Sequence, residues 1–171
     1  MKKITILLAV LTLFSCKSPA QENKEEKKQN QEQSFKISKT EDEWKAELSE
    51  MEYYVLREEG TERAGSSPLN KIYEPGTYIC AACNTPVFES EHKFDSGTGW
   101  PSFDREIEGN VAFATDNKLG YSRVEEHCAT CGGHLGHVFN DGPQDTTGKR
   151  HCINGVALEF IPKGEKLPTI E

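Results

Sequence analysis

An amphipathic pattern with helical spacing opens the folded part of this 171-residue chain. Apolar side chains recur at intervals of four, three and four residues, which places them on one face of an α-helix: Trp44, Leu48, Met51 and Val55. Thr40 precedes this stripe and Glu43 follows three residues later, which is the signature of a capping box. The pattern therefore predicts one helix that packs its stripe against the core.

The rest of the folded part has the pattern of short strands. From Tyr78 onward, apolar or alternating runs such as 111–114, 121–124 and 153–161 are separated by glycine-containing turns, and no second long helical period follows. This arrangement is typical of antiparallel sheets joined by tight turns. The predicted fold class is therefore mainly β, with antiparallel β-sheets and a short N-terminal helical segment.

Two segments of different composition precede the folded part. Residues 1–15 combine a basic start with an apolar run that suits a signal peptide and is too short to span a bilayer. The string Leu13-Phe14-Ser15-Cys16 resembles the lipobox of bacterial lipoproteins, in which the signal is cut before a cysteine that carries lipid; an ordinary secretory signal is the alternative. Residues 16–37 are polar, so we expect a solvated tether between lipidated Cys16 and a domain at 38–171. This organisation predicts a membrane-anchored lipoprotein of the cell envelope that faces a non-cytoplasmic compartment.

The net charge of the chain and the length of its folded part indicate which partners and which oligomeric state to expect. The formal net charge is −8 at pH 7, which disfavours nucleic acid as a partner. Residues 38–171 have the length of one domain, and a monomer is the default expectation.

Four of the six cysteines stand in two C-x-x-C pairs, Cys80/Cys83 and Cys128/Cys131, with 44 residues between the pairs. Four thiolates from two tight turns make the tetrahedral set that zinc prefers, so the pairs predict one structural Zn²⁺ ion that contributes to folding. Disulfides are an alternative, since an exported chain meets an oxidising compartment. A thioredoxin-like redox pair is another, although proline and glycines follow where such a motif continues as a helix.

The remaining cysteine of the folded part has a different setting. Cys152 stands two residues after Arg150 and downstream of His134 and His137. Nearby cations and imidazoles shift a thiol toward the nucleophilic thiolate, and an imidazole can give a proton near neutral pH. This composition predicts that Cys152 is chemically active, in contrast to the four paired cysteines.

Several strings in a fixed order now point to a known family. They are Lys93-Phe-Asp-Ser-Gly-Thr-Gly-Trp-Pro-Ser-Phe103, Cys128-Ala-Thr-Cys-Gly-Gly-His-Leu-Gly-His-Val-Phe139, Asp141-Gly-Pro143, Thr147-Gly-Lys-Arg-His-Cys-Ile-Asn154 and Val156-Ala-Leu158. From about Glu43 to Ile161 the chain resembles the methionine-R-sulfoxide reductase B family. The resemblance implies a β-tent-like core, a structural zinc ion, and thiol-dependent reduction of methionine-R-sulfoxide in oxidised proteins or peptides. With the predicted location, this would repair oxidised envelope proteins.

The resemblance also implies roles for individual residues. Cys152 attacks the sulfoxide sulfur and becomes a sulfenic acid, while His137, with His134 beside it, protonates the sulfoxide oxygen. Asp141 could orient a histidine, and Arg150 could stabilise the thiolate. Asn154 could donate a hydrogen bond to the substrate. Trp100 and Phe139 would form an apolar wall for the S-methyl group of the substrate.

The chain departs from the family pattern at a few positions. Thr98 stands where the family commonly has a resolving cysteine, and no other thiol is left to form an internal disulfide with Cys152. We therefore expect an external thiol donor, such as a thioredoxin-like domain, to reduce the sulfenic acid. His151 stands where an aromatic residue is usual and Gly155 where serine is frequent. Because adjacent side chains of a strand point to opposite faces, we expect His151 to have a small effect on Cys152.

Three other functions fit part of the pattern. A zinc-stabilised module could bind oxidised or exposed methionine without turnover, but Cys152 and His137 would then be dispensable. A thiol–disulfide oxidoreductase would use a C-x-x-C pair, and tightly bound zinc would count against it. A peroxide sensor would use Cys152, but would not explain Trp100, Phe139 and Asn154 as a substrate pocket.

Overall fold

The computed structural model describes residues 35–171, so the predicted signal peptide, Cys16 and most of the predicted tether lie outside the described residues. Within the described part the elements are, in chain order, α1 (Glu41–Glu47), α2 (Glu50–Leu56), β1 (Gly76–Cys80), β2 (Pro86–Glu89), β3 (Lys93–Phe94), β4 (Ser102–Phe103), β5 (Val111–Asp116), β6 (Arg123–Cys128), β7 (His134–Phe139), β8 (Arg150–Ile153) and β9 (Leu158–Pro162). Short 3₁₀ turns lie at Pro68–Lys71, Ser90–His92 and Gly155–Ala157. Across residues 35–171, neither α-helix has the length and apolarity that crossing a membrane requires.

Each α-helix begins with a capping box. Thr40 Oγ1 accepts from the Glu43 N–H at 3.3 Å, and the Glu43 carboxylate accepts from the Thr40 N–H at 2.7 Å, which confirms the predicted helix start. Ser49 and Glu52 form the same reciprocal pair at 3.3 and 2.8 Å and start α2. The prediction of one continuous helix is therefore wrong, because the Ser49 side chain caps a new helix where the first one ends.

The break changes which side chains reach the core. Trp44 and Val55 are buried, as the stripe predicts, and Leu56 joins them. Leu48 has an extended backbone between the two helices and is only partly buried. Met51 is 50% exposed, so it lies outside the core that the continuous stripe implied.

Two antiparallel sheets form the body of the described residues. The smaller has the order β2-β1-β9 and the larger the order β3-β4-β8-β7-β6-β5. The α2 helix packs against β7 and the Gly155–Ala157 turn. The antiparallel sheets, the short helices and the four-cysteine cluster confirm the predicted fold class.

Aromatic side chains join the two sheets. Tyr78 of β1 and Phe88 of β2 meet Phe103 of β4, with ring centroids 5.0 and 4.4 Å apart. Such ring pairs contribute about 0.5–1.5 kcal/mol beyond the area they bury. The Tyr78 hydroxyl donates to the Ile72 carbonyl at 2.9 Å, so the buried phenol is paired. This packing fixes β4, the strand beside which β8 lies.

The two faces of β8 have different surroundings. His151 is fully buried on the core side, where its ring lies 5.9 Å from Phe88. Cys152 is half-buried on the other side, and the strand register pairs it with Ser102 of β4 and His137 of β7. We call the sheet face that carries Cys152 the site face. Its side chains come from alternate positions of neighbouring strands, so strand register determines which groups meet.

Candidate active site and metal centre

The four paired cysteines form one buried set, here called the four-cysteine cluster: Cys80, Cys83, Cys128 and Cys131. Their sulfurs lie within 4.8 Å of one another. The Cys80 and Cys131 sulfurs are 3.8 Å apart, and the Cys83 and Cys128 sulfurs are 3.5 Å apart. Zinc–sulfur bonds of about 2.3 Å in a tetrahedron place sulfurs about 3.8 Å apart. The cluster can therefore hold one ion of this size, and it joins the ends of β1 and β6.

The geometry argues against the other predicted uses of these cysteines. The sulfur–sulfur distances far exceed a disulfide bond of about 2.05 Å, and all five described cysteines are free thiols. Asn84 and Gly132 follow the pairs with φ of 61° and 72°, so neither pair starts a helix as a thioredoxin-like motif does. Hydrogen bonds from Cys131 and then Cys80 lower the pKa of Cys128, while the pKa values of Cys80 and Cys131 are raised, so without an ion the cluster holds its first negative charge on Cys128.

Cys152 stands apart from this cluster on the site face. Its sulfur lies 3.9 Å from Thr98 Oγ1. The Thr98 hydroxyl therefore faces Cys152 at the position where the family commonly has a resolving cysteine. Burial raises the pKa of Cys152, and the Thr98 hydroxyl and the Arg150 guanidinium only partly oppose it. The resting group at neutral pH is therefore a thiol, rather than the thiolate that the flanking cation suggested.

His137 faces Cys152 from β7 and is held by a carboxylate. His137 Nε2 lies 2.8 Å from Asp116 Oδ2, and the same oxygen accepts from Arg123 Nη2 at 2.5 Å. This contact occupies Nε2 and leaves Nδ1 for proton exchange with a reacting group. Burial lowers the pKa of His137, and the hydrogen bond with Asp116 opposes this shift. The resting imidazole is therefore neutral at neutral pH.

His134 is the more deeply buried of the two imidazoles. It is 2% exposed, and its Nδ1 lies 2.6 Å from Glu125 Oε1. Its ring meets that of His137 edge-on, with centroids 5.4 Å apart. Because His137 also pairs with Cys152 in the strand register, the geometry favours His137 as the proton donor, with His134 packed beside it.

Arg150 and Asp141 bind each other on the site face. Arg150 Nε and Nη2 donate to the two Asp141 oxygens, both at 2.9 Å. The Arg150 guanidinium also covers the Phe139 ring, with 4.4 Å from Cζ to the ring centroid. The prediction that Asp141 orients a histidine is therefore wrong. Asp116 has that position, and Asp141 instead fixes the cation next to Cys152.

Asn154 is buried and joins two backbone segments next to the site. Its Oδ1 accepts from the Glu62 N–H and its Nδ2 donates to the Leu135 carbonyl, both at 3.0 Å. The Trp100 Nε1–H donates to the Glu62 carbonyl at 3.2 Å, and the Glu62 carboxylate accepts from the Gly155 N–H at 2.5 Å. Both ends of the buried amide bind backbone, and because Nδ2 uses one of its two N–H groups in this way, the predicted hydrogen bond from Asn154 to the substrate stays a prediction. Glu62 thus connects Trp100 to the end of β8.

Behind Cys152, His151 lies between two carboxylates. Its Nδ1 is 2.5 Å from Glu126 Oε1, and its Nε2 is 3.3 Å from Glu106 Oε2. The His151 and Glu126 side chains are both fully buried. Burial is the largest cause that raises the pKa of Cys152, and the Glu126 charge raises it further by a smaller amount. His151 points to the opposite face from Cys152, as predicted, and its partner Glu126 lies behind the reactive strand.

Four acidic residues of the site are not predicted from the sequence: Glu62, Asp116, Glu125 and Glu126. The β5–β6 hairpin carries three of them, and its register sets Asp116 opposite Arg123. The β6–β7 register sets Glu125 opposite His137. The one available signal was the alternation of Arg123, Glu125 and His127, which indicates a polar strand face.

These features define a class of protein. It is an antiparallel β protein that combines a buried four-cysteine cluster with a separate thiol opposite a carboxylate-bound imidazole. The SelR domain profile matches residues 48–162, which include both features.

Curated relatives give the same result over most of the chain. It is 49% identical over 130 residues to "Peptide methionine sulfoxide reductase MsrB" of Chromohalobacter salexigens, covering 75% of this chain and 98% of that protein. It is 50% identical over 126 residues to the protein of that name from Methanosarcina mazei, covering 73% and 89%. It is 43% identical over 151 residues to "Peptide methionine sulfoxide reductase B1, chloroplastic" of Arabidopsis thaliana, covering 88% and 74%. The chain belongs to the SelR-domain, or MsrB, family, which confirms the predicted family.

Proposed function

We propose that this protein is a peptide-methionine (R)-S-oxide reductase that returns methionine-R-sulfoxide in oxidised proteins to methionine through a sulfenic acid on Cys152. The observation that carries the proposal is the pairing of Cys152 with His137 across β8 and β7. A thiol and an imidazole in this arrangement can exchange a proton while the sulfur attacks a substrate. Membership of the MsrB family supports the same reaction and its stereochemistry.

The first step transfers oxygen from the substrate to Cys152. The Cys152 sulfur attacks the sulfoxide sulfur, the thiol proton passes to His137, and His137 gives a proton to the sulfoxide oxygen. The sulfur–oxygen bond of the substrate breaks, the oxygen ends on Cys152 as a sulfenic acid, and the thioether leaves. The substrate sulfur gains the electron pair that the cysteine sulfur loses, and no net proton is taken up.

The two pKa directions support a position for the shared proton before the reaction. Burial raises the pKa of Cys152 and lowers that of His137, so the resting pair is a thiol and a neutral imidazole. The reactive pair, a thiolate and an imidazolium, holds the same number of protons and forms without a proton from solvent. The reaction rate should therefore be nearly level between the two pKa values and fall on either side.

An external thiol completes the cycle. Within residues 35–171, every cysteine except Cys152 belongs to the four-cysteine cluster. One external thiol condenses with the sulfenic acid, which releases water and leaves a mixed disulfide. A second thiol then frees Cys152 and leaves as an external disulfide. A thioredoxin-like domain supplies both thiols.

Zinc is the metal that best fits the four-cysteine cluster. It takes four thiolates in a tetrahedron and has no redox chemistry of its own. Bound there, it joins the ends of β1 and β6 and adds its binding free energy to folding. Its role is structural.

The N-terminal segment supports a place at the cell envelope. In this proposal lipid on Cys16 anchors a monomeric enzyme, and the polar tether lets it reach oxidised proteins outside the cytoplasm. Fractionation of cells that express the full chain should place the protein with membranes, and Cys16→Ser should release it. A Cys16→Ser variant that stays with the membranes would contradict the anchor.

The reaction is tested with the separated R and S sulfoxides of a blocked methionine, with dithiothreitol as reductant. We expect turnover of the R epimer alone, and its loss in Cys152→Ser at unchanged zinc content and thermal unfolding. Full activity of Cys152→Ser would refute the nucleophile. Binding of the R epimer without turnover by the folded wild type would support a non-catalytic module instead.

A further inference from the structure

A continuous line of hydroxyl groups ends at Cys152. Thr98 Oγ1 lies 3.9 Å from the Cys152 sulfur and 2.8 Å from Ser96 Oγ. Ser96 Oγ lies 2.7 Å from Ser102 Oγ, and the Ser102 hydroxyl reaches the Trp100 carbonyl oxygen at 3.2 Å. We call Ser96, Thr98 and Ser102 the hydroxyl relay. It runs from a sulfur at one end to a carbonyl at the other.

The two ends impose opposite directions on the relay. Each hydroxyl has one proton to donate, whereas a carbonyl oxygen can only accept. When Cys152 is a thiol, its S–H donates to Thr98 and each hydroxyl donates onward, so the last proton binds the Trp100 carbonyl. When Cys152 is a thiolate it can only accept, so Thr98 must turn its proton to sulfur. Ser96 then donates to Thr98, Ser102 donates to Ser96, and the carbonyl loses its partner.

We propose that the hydroxyl relay is a reversible positioning device that accepts from the Cys152 thiol at rest and turns to donate to its sulfur once the proton has left. This inference rests on the proposed role of Cys152 as nucleophile. Thr98 stabilises the thiolate directly, whereas Ser96 competes for the Thr98 proton and so stabilises the thiol. The two residues therefore act on Cys152 in opposite directions.

Other ionisable groups around Cys152 lie outside the relay. Arg150 is on the same strand, His137 faces Cys152 from β7, and Glu126 lies behind the sheet. Asp95, on the loop that carries Ser96 and Thr98, binds the Gly97 N–H and Lys71. The neighbouring strand β4 contributes only the uncharged Ser102 opposite Cys152. Changes confined to Ser96 or Thr98 leave these charges in place, so a shift in thiol reactivity reports the relay.

The experiment measures the rate at which iodoacetamide alkylates Cys152 in the zinc-loaded full-length protein, from mildly acidic to alkaline pH. Mass spectrometry of the peptide that carries Cys152 separates its signal from the other thiols. Thr98→Val should slow alkylation roughly threefold to tenfold at neutral pH and move the inflection to higher pH, because the thiolate loses a donor. Ser96→Ala should accelerate it by a similar factor and move the inflection to lower pH.

Two further variants separate the relay from a simple packing role. Thr98→Ser keeps the hydroxyl and should retain the wild-type profile. The double variant Thr98→Val/Ser96→Ala should behave like Thr98→Val, because Ser96 acts only through Thr98. If Thr98→Val does not fold, the acceleration expected for Ser96→Ala tests the same mechanism.

The relay proposal would be overturned if the alkylation profile of Ser96→Ala stayed unchanged or moved to higher pH. Additive effects of the two substitutions in the double variant would also overturn it. Alkylation needs no sulfoxide turnover, so this result is independent of the reductase assay. Turnover by Cys152→Ser would refute the proposed function while the alkylation profiles still decide whether the relay operates.

Discussion

Replacement of Asp116 by asparagine should slow the reductase by making the His137 imidazolium rarer. Asp116 Oδ2 lies 2.8 Å from His137 Nε2, and the two side chains are only 6% and 12% exposed. Burial lowers the pKa of His137, and Asp116 opposes this shift. Asparagine keeps the shape but removes the charge, so the pKa of His137 falls further. A smaller fraction of the enzyme molecules then contains the reactive thiolate–imidazolium pair.

The size of the expected loss in rate follows from the strength of the hydrogen bond between Asp116 and His137. A hydrogen bond to a charged partner in a poorly hydrated place is worth about 1.5–3 kcal/mol. With a tenfold change in rate for about 1.4 kcal/mol, the loss at neutral pH is roughly tenfold to a hundredfold. Arg123 Nη2, 2.5 Å from Asp116 Oδ2, keeps its positive charge when the carboxylate is gone. This repulsion disfavours the imidazolium and places the expected effect toward the upper end.

The assay is the single-turnover rate of methionine formation from the blocked R-sulfoxide without external thiol, measured against pH. Below the pKa of His137 the imidazole is already protonated and thiolate formation alone limits the rate. The Asp116→Asn rate should therefore approach the wild-type rate as the pH falls, and its acid limb should move to lower pH. Asp42→Asn on exposed α1 is the charge-matched control. Equal rates at neutral pH, or an acid-limb shift reproduced by Asp141→Asn, would refute this account of His137.

Three further predictions concern the surrounding structure. Thr98→Cys should form a disulfide with Cys152 after one turnover, because the Thr98 hydroxyl already lies 3.9 Å from the sulfur; a product whose intact mass still includes the sulfenic acid oxygen would contradict this. Glu126→Gln should lower the free energy of unfolding in urea by about 3–5 kcal/mol, since it removes one partner of a buried pair, and adding His151→Phe should recover part of the loss. If the double variant is no more stable than the single, the pair is not coupled. Removal of the proposed zinc ion by a chelator should abolish cooperative unfolding measured by circular dichroism, and added zinc should restore it, because structural zinc binds with about 10–16 kcal/mol. A metal-free protein that unfolds at the same temperature would exclude a structural role for the ion.

Local patterns predicted the parts of this protein that local chemistry determines. The four-cysteine cluster follows from two short turns, each of which presents its pair of sulfurs wherever the rest of the chain runs. The helix start at Thr40 also depends only on neighbouring residues. The same reasoning applied to Ser49 reveals the second capping box with Glu52, which the apolar spacing concealed. At Ser49 the capping box determines where the second helix begins, and the spacing of the apolar residues does not.

Strand register determined what the sequence could not. The family resemblance implies that Asp141 could orient a histidine, yet its side chain binds Arg150. Asp116 lies 21 positions before His137 and reaches it only because β5, β6 and β7 pair in one register, with an irregularity between Glu126 and His127. A register is set by the whole sheet, and no local motif reports it.

The raised pKa of Cys152 has a benefit for an enzyme that repairs oxidation. Cysteine oxidation follows thiolate character and exposure, so a low-pKa thiol would be consumed by the oxidants that damage its substrates. Burial holds Cys152 as a thiol and His137 as a neutral imidazole, so the reactive pair is scarce until a sulfoxide oxygen is present to take the proton. The same features argue against a peroxide sensor, which requires a thiolate at rest. A reductase can instead keep its nucleophile protonated, because its substrate accepts the proton that activation releases.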